Sequence, residues 1–454
     1  MAASTMLSPI DLAARLAGKR GRVLLHSARD DDGLGRWSFA TAMPSSTLIA
    51  RGRSLVRLDA AGRAVQRFTA DPFDAADAFL AEHGCTPHPN PSSGGDPAPR
   101  VIGYFGYDLA RVIEALPGGP TLGNDTPDLW LAAYDGVARW RGGAGEPGST
   151  YELVGPDPRA LAAAIAAGPH QLGLAPHLGP LVADDDGGHH MARVERVRDY
   201  LAAGDAYQVN LARRLVARIT SPGDPLALYA ALAAASPAPY GAVIEADGVA
   251  IISGSPERFL STEGGRLETR PIKGTRPPGP GGAAALAAAP KDAAEHLMIV
   301  DLERNDLGRV AELGSVRVDE LGYIVELPTL FHKVSRVSAR PRAGLGYAEL
   351  LRATFPGGSI TGAPKVRAMQ LIDELEPARR GPYCGAFGYF APTGCELAIA
   401  IRIGVVKGYE LRVHVGGGIV ADSDPAAELA ETDVKAAAWV AALAMLDQLR
   451  AARR

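Results

Sequence analysis

Residues 191–219 read MARVERVRDYLAAGDAYQVNLARRLVARI. Val194, Val197 and Leu201 recur at helical spacing, Gly204 follows as a left-handed stop, and an apolar run of strand type begins at Ala206. A helix feeding a long strand sets the pattern for the rest. Downstream, a helix around 224–235 leads to strands GAVIEA (241–246) and VAIISG (249–254). Helices at 291–303 and 365–376 bracket more strand, ELAIAIRIGVV and YELRVHV form a hairpin around Lys407 and Gly408, and 425–450 is a terminal helix. Upstream, RVLLHSA (22–28), STLIARG (46–52) and SLVRLD (54–59) are strands bounded by turn residues. Many strands interleaved irregularly with fewer helices predict an α+β fold rather than a regular βαβ array.

The segments NPSSGGDPAP (90–99), WRGGAGEPGST (140–150) and GPGGAAALAAAP (279–290) read as loops. LVADDDGGHH (181–190) reads as a connector between an N-terminal region, 1–180, and a C-terminal region, 190–454, with His189 and His190 solvated. The chain has 454 residues, 47 Lys plus Arg against 51 Asp plus Glu, and a formal charge of −4. That balance disfavours nucleic-acid binding, which needs a basic face. An apolar share of 47% with 22% charged residues is that of a globular protein. Three cysteines without a CxxC pair exclude a disulfide framework and a cysteine zinc site. No signal-like h-region or uninterrupted apolar span is present, so a soluble cytoplasmic protein without membrane contact is expected.

The P-loop, GxGxxG, HExxH and GxSxG motifs are all missing. FPGGSITGAPKVRAMQLIDELE (355–376) is instead a Gly-rich loop running into a helix, with Pro364 in its first turn and an apolar stripe of Val366, Met369, Ile372 and Leu375. Such a helix start suits an anion, or is only a turn. Asp424 is placed to cap the last helix, where Glu428, Glu431 and Lys435 share one face; Asp292 and Glu295 are three apart on another helix. Two helices offering two carboxylates each would suit Mg²⁺, although acidic residues in first turns also complement the helix dipole. Lys273, in PIKGTRPPG (271–279), becomes a nucleophile only if desolvated or set near other cations.

Taken together, AGDAYQVNLARR, SGSPERFL, TRPIKGTRP, AEHLMIVDLERNDLGRV, FPGGSITGAPKVRAMQLIDELEP, GPYCGAFGYF, AIRIGV and GGGIVADSDPAAELAETDVKA resemble the chorismate-utilising enzymes, and within them the aminodeoxychorismate synthase component I branch. The resemblance spans roughly 195–440, with thinner matches at LLHSA, GYFGYDLAR and LAAYD. It implies the anthranilate synthase component I-like fold, a large antiparallel β-sandwich with helices outside. Anthranilate synthases typically carry Ala in PIAGT, where Lys273 stands here. By resemblance Lys273 is the covalent nucleophile in amination of chorismate at C4, on the route to 4-aminobenzoate and folate, and Glu257 is the acid that assists loss of the hydroxyl. The family's active-site histidine corresponds to His332. Glu295 and Glu431 match direct Mg²⁺ ligands, with Asp292 and Glu428 acting through water. Gln208, Thr275, Thr361, Tyr383, Arg402, Gly416, Gly417, Gly418 and Lys435 match substrate-binding positions. Gln208 stands where relatives that use water have a lysine, and Pro278 stands where an arginine is common.

No glutaminase segment is recognised, so the resemblance implies a separate glutamine amidotransferase subunit delivering ammonia. Parts of the family hold tryptophan near the positions of His26, Ser27, Pro239 and Tyr240, and the sequence leaves open whether this chain does. The rival readings are anthranilate synthase component I, which aminates C2 and releases pyruvate, and an inactive chorismate- or tryptophan-binding regulatory subunit.

Overall fold

The computed structural model describes residues 6–29, 33–88, 95–119, 125–142, 150–276, 279–327 and 330–451, except for the side chains of 275, 290–292, 327, 330 and 451. Pro278 and, of the expected loops at 90–99 and 140–150, residues 90–94 and 143–149 lie outside these residues.

Two antiparallel twelve-stranded sheets form the body, with helices packed on them. One sheet centres on Gln208–Ser221, which pairs over ten residues with Glu410–Ile419, then continues through Ile403–Lys407, Val249–Ser255, Tyr240–Ala246, Val23–His26 and Trp37–Thr41. The other runs from Ile272–Arg276 through Leu330–Ala339, Leu267–Arg270, Arg258–Ser261, Gly394–Ile399 and Ala386–Ala391 to Val101–Phe105, Leu129–Ala133 and Ser46–Arg51. Strands from both sides of 181–190 therefore enter both sheets. Their inner faces meet in a core where, for example, Phe39 of one sheet packs edge-on against Tyr389 of the other at 4.9 Å.

The helix Gly187–Ala202 buries Val194 and Val197 and ends before Gly204, at φ +84°. Its first turn takes in the paired histidines. His189 meets Asp186 at the surface, but His190 is buried, and burial pulls its pKa down to about 4, which corrects the solvated reading. Residues 279–290 are not a bare loop: Gly282–Ala288 is a helix that buries Leu286, since alanine and leucine favour helix once one apolar anchor finds the core. Pro364 sits one residue before the helix Lys365–Leu375, which buries Met369 and Ile372, while Val366 is 40% exposed and Leu375 half-buried.

Two of the steps by which the chain passes between the sheets lie side by side. The chain leaves the first sheet at Ser255 and joins the second at Arg258, with Glu257 between. It steps back between Ile399 and Ile403, with Arg402 between. The expected strand ELAIAIRIGVV is thus two strands in different sheets; only Ile403–Lys407 and Glu410–Ile419 make the hairpin. The steps are laced together, Ile399 N donating to Glu257 O at 3.0 Å and Gly254 N to Arg402 O at 3.2 Å. Arg402 turns the corner at φ +51°, a conformation that costs a side-chain-bearing residue energy.

Candidate active site

Lys273 lies on Ile272–Arg276 at one end of the second sheet, its Cα opposite Lys333 and that of Thr275 opposite His332. The side chain of Thr275 is outside the described residues. The Lys273 ammonium donates to Ser359 O at 2.9 Å, a carbonyl that also accepts from Asn210 Nδ2 at 3.0 Å. Desolvation is the largest influence on Lys273 and pulls its pKa below 10.5; Glu257 pulls it up, Lys435 down, and Glu295 and Glu431 up. The candidate nucleophile, the acid and carboxylates from both acidic helices therefore share one electrostatic neighbourhood.

Glu257 is 5% exposed. Burial raises its pKa above the usual carboxylate value, against the pull of the Ser359 hydroxyl, Lys273, the Ile272 amide at 3.4 Å and Arg402. The Ser359 hydroxyl is near enough to matter without meeting hydrogen-bond geometry. His332 is buried, and its pKa falls to about 4, first through burial and then through Arg402, although its ring bonds the Gly274 backbone. It is a neutral imidazole at physiological pH.

Arg402 is half-buried, and desolvation lowers its pKa although Glu257 favours its charge. Its guanidinium makes no hydrogen bond or ion pair among the described residues. A desolvated guanidinium with unspent donors suits a carboxylate, which it can hold with two parallel hydrogen bonds. Arg402→Lys should lower kcat/KM for an anionic substrate by about tenfold to a hundredfold, mostly through KM, because a charge-assisted hydrogen bond contributes about 1.5–3 kcal/mol. Steady-state kinetics check this; an unchanged KM would remove Arg402 from substrate binding.

The helix Pro425–Ala451 brings up the acidic group. Asp424 caps it through Ala427 N at 2.9 Å, and Glu428, 9% exposed, accepts from Ser423 Oγ at 2.6 Å. Lys435 bridges Glu431 at 2.7 Å and donates to Gly416 O at 2.7 Å. Gly417 faces this set: a Cβ there would stand 3.1 Å from Glu428 Oε2, 3.5 Å from Glu431 Oε1 and 3.8 Å from Lys435 Nζ. At Gly418 a Cβ would stand 2.1 Å from Gln208 Nε2. Gln208 is fully buried, and neither of its amide atoms has a hydrogen-bond partner among the described residues.

Two expected substrate residues have partners within the protein. The Thr361 hydroxyl donates into its own turn, to Gly357 O at 3.0 Å and Gly358 O at 3.2 Å, and Tyr383 stacks on His414 at 5.3 Å. Ser359, whose carbonyl holds the Lys273 ammonium, and Asn210, which donates to that same carbonyl, were not singled out from the sequence. A backbone acceptor leaves no residue-type signature, and Asn210 in YQVN looks like any polar strand residue.

As they stand, no three His, Cys, Asp or Glu side chains among the described residues are arranged to hold a metal, and the side chain of Asp292 lies outside those residues. The donors still fit Mg²⁺. Glu428 and Glu431 are hard oxygen ligands converging on a glycine that leaves them room, and Glu295 approaches from the neighbourhood of Lys273.

Between the sheets lies a cavity of about 50 Å³, walled by His26, Trp37, Phe39 and Tyr240, with Glu263 and Glu396 at one side. Pro239 lines it too, whereas the Ser27 hydroxyl donates to Arg29 O at 2.8 Å. Tyr240 donates to Glu396 and Tyr389 to Glu263. No described helix is long and apolar enough to cross a membrane.

A desolvated amine, a buried carboxyl, a carboxylate cluster and an uncommitted guanidinium make a candidate enzyme site suited to an anionic substrate. A family model described as chorismate binding enzyme matches residues 37–441, and the chain belongs to that family. It is 41% identical over 434 residues to aminodeoxychorismate synthase component 1 of Klebsiella aerogenes, with 92% of each chain covered. It is also 36% identical over 474 residues to anthranilate synthase component 1 of Pseudomonas aeruginosa, covering 97% of this chain and 94% of that one. The crystal structure of anthranilate synthase component I from Streptococcus pneumoniae superposes with a TM-score of 0.73 at 29% identity, covering 89% of this chain and 92% of that one. The α+β sandwich and the chorismate-utilising enzyme class expected from the sequence are both found.

Proposed function

We propose that the chain aminates chorismate at C4, giving 4-amino-4-deoxychorismate. The observation that carries this reading is the Lys273 amine, desolvated and set beside Glu257, Glu295, Glu431 and Lys435. Neutral Lys273 bonds to C2 of the ring while the C4–O bond breaks, and Glu257 gives its proton to the departing hydroxyl, which leaves as water. Ammonia then bonds to C4, the C2–N bond to Lys273 breaks as both ring double bonds, displaced toward C4 in the first step, shift back, and a proton from the new C4 ammonium restores the Glu257 carboxyl. Arg402 holds a substrate carboxylate. Glu295 and Glu431, with Glu428 and Asp292 outside them, would hold Mg²⁺, which would anchor the ring carboxylate and offset Glu295 and Glu431, two of the three carboxylates that favour the Lys273 ammonium. Relatives named component 1 support a separate partner subunit, here a glutaminase supplying ammonia. The inter-sheet cavity is the candidate tryptophan site, with aromatic walls for an indole and Glu263 and Glu396 for the ammonium. Arg36, 57% exposed, is among the residues that line it.

The similarity to anthranilate synthases favours a second reading, amination at C2 with loss of pyruvate. Incubation with chorismate, Mg²⁺ and ammonium, followed by product identification, separates the two. The expected product is 4-amino-4-deoxychorismate; fluorescent anthranilate with released pyruvate would overturn the assignment. Gly417→Ala should raise the Mg²⁺ concentration for half-maximal activity about tenfold, since its Cβ crowds Glu428 and Glu431 without touching backbone. A Mg²⁺ titration of both enzymes reads this, and an unaltered midpoint would move the metal elsewhere.

A further inference from the structure

The helix Pro290–Gly308 carries a carboxyl that none of these steps uses. Glu303 is 4% exposed, and its Oε1 accepts from the Gly358 backbone amide at 3.0 Å. Gly358 opens the short turn Gly358–Ile360, whose next residue supplies the Ser359 carbonyl that holds Lys273 and Asn210. Helix and turn meet without slack: a Cβ on Gly358 would stand 2.6 Å from Leu302 Cδ2 and 3.1 Å from Glu303 Oε1. Behind Glu303, Lys365 pairs with Asp306 and donates to Thr354 O at 3.2 Å, tying the start of the helix Lys365–Leu375 to the same block. Burial and then Asp306 push the Glu303 carboxyl above the usual carboxylate range; Glu257 adds to this, while Lys365 and the Gly358 amide oppose it. A carboxyl so placed acts as a neutral acceptor.

We propose that Glu303 is a positioning residue for chorismate amination: by holding the Gly358 amide it fixes the Gly358–Ile360 turn, and through the Ser359 carbonyl it aims the Lys273 amine. The proposal rests on Lys273 being the nucleophile. Without the acceptor, a buried amide loses its partner and the turn must move to regain one. A shift of about 1 Å in a reacting group costs on the order of 10²-fold in rate.

Three variants test it, read as chorismate consumption with ammonium. Glu303→Gln keeps both shape and acceptor, and its kcat should stay within about threefold of the parent. Glu303→Leu removes the acceptor, and kcat should fall about tenfold to a hundredfold while KM for chorismate moves less than about threefold. Glu303→Asp, which withdraws the oxygen by one methylene, should fall with Leu and supplies the test should Leu not fold. Parental kcat in Asp or Leu, or a Gln variant as slow as the other two, overturns the proposal. Lys273→Met keeps the outcomes separable. If it is fully active, the nucleophile assignment fails. If it is inactive while Asp and Leu keep parental kcat, only the positioning role fails.

Discussion

Lys273→Met should slow chorismate amination by at least about 10³-fold, with ammonium or with a glutaminase as nitrogen source, because the other amine described near it, Lys435, is held by Glu431 and the Gly416 carbonyl. KM for chorismate should change little, since the carboxylate contacts assigned to Arg402 remain. Stability should move the other way. The folded-state pKa of Lys273 is lowered, so the folded protein binds that proton more weakly than the unfolded chain and is penalised wherever the unfolded lysine is charged. Methionine keeps the aliphatic stem and removes the penalty, leaving the Ser359 carbonyl its Asn210 donor. Thermal denaturation should therefore show a modest rise in Tm near neutral pH that shrinks as pH approaches 10.5. A fully active variant would refute the covalent step, and a destabilised one would show that the ammonium is structural.

Local signals in the sequence placed most elements. The spacing of Val194 and Val197, the stop at Gly204 and the cap at Asp424 all depend on nearest neighbours along the chain, and the structure keeps them. What local patterning could not show is which sheet a strand joins. ELAIAIRIGVV is apolar throughout, and nothing in it marks the step at Arg402, because positive φ leaves no trace when the residue is not glycine. The helix Gly282–Ala288 was hidden for the opposite reason: its composition reads as a loop until Leu286 is seen buried.

The candidate site divides the same way. Glu428, Glu431 and Lys435 share a helix face by spacing alone, and the structure sets them around Gly417. That this face looks toward Lys273, far off in the chain, depends on how the two sheets pack on each other, which no local pattern encodes. Lys273 drew notice through PIKGT, whereas its actual support is a main-chain carbonyl on another segment. Gln208 was read for what it replaces, yet its structural mark is a buried amide with both polar atoms unpaired among the described residues. Such an amide is costly unless a ligand or water meets it.

Glu257→Gln should reduce kcat by about 10²–10⁴-fold, the usual contribution of a general acid, and should also change the form of the pH profile. In the parent enzyme the acid must hold a proton and Lys273 must have lost one, so only the pair carrying a single proton turns over. That requirement gives a bell whichever group has the higher pKa, and its limbs belong to the pair rather than to either residue. Burial raises Glu257 and desolvation lowers Lys273, which draws the limbs together and narrows the bell. Glutamine cannot titrate but still offers an oxygen to the Ile272 amide, so the local fold should survive. The remaining rate then follows Lys273 alone, rising with pH to a plateau with no descending limb. The measurement is kcat against pH for both proteins, with ammonia held saturating as the free base so that its own titration does not enter. A glutamine variant that keeps the parental bell would place the acid on another residue and leave Glu257 as a counter-charge to Lys273 and Arg402.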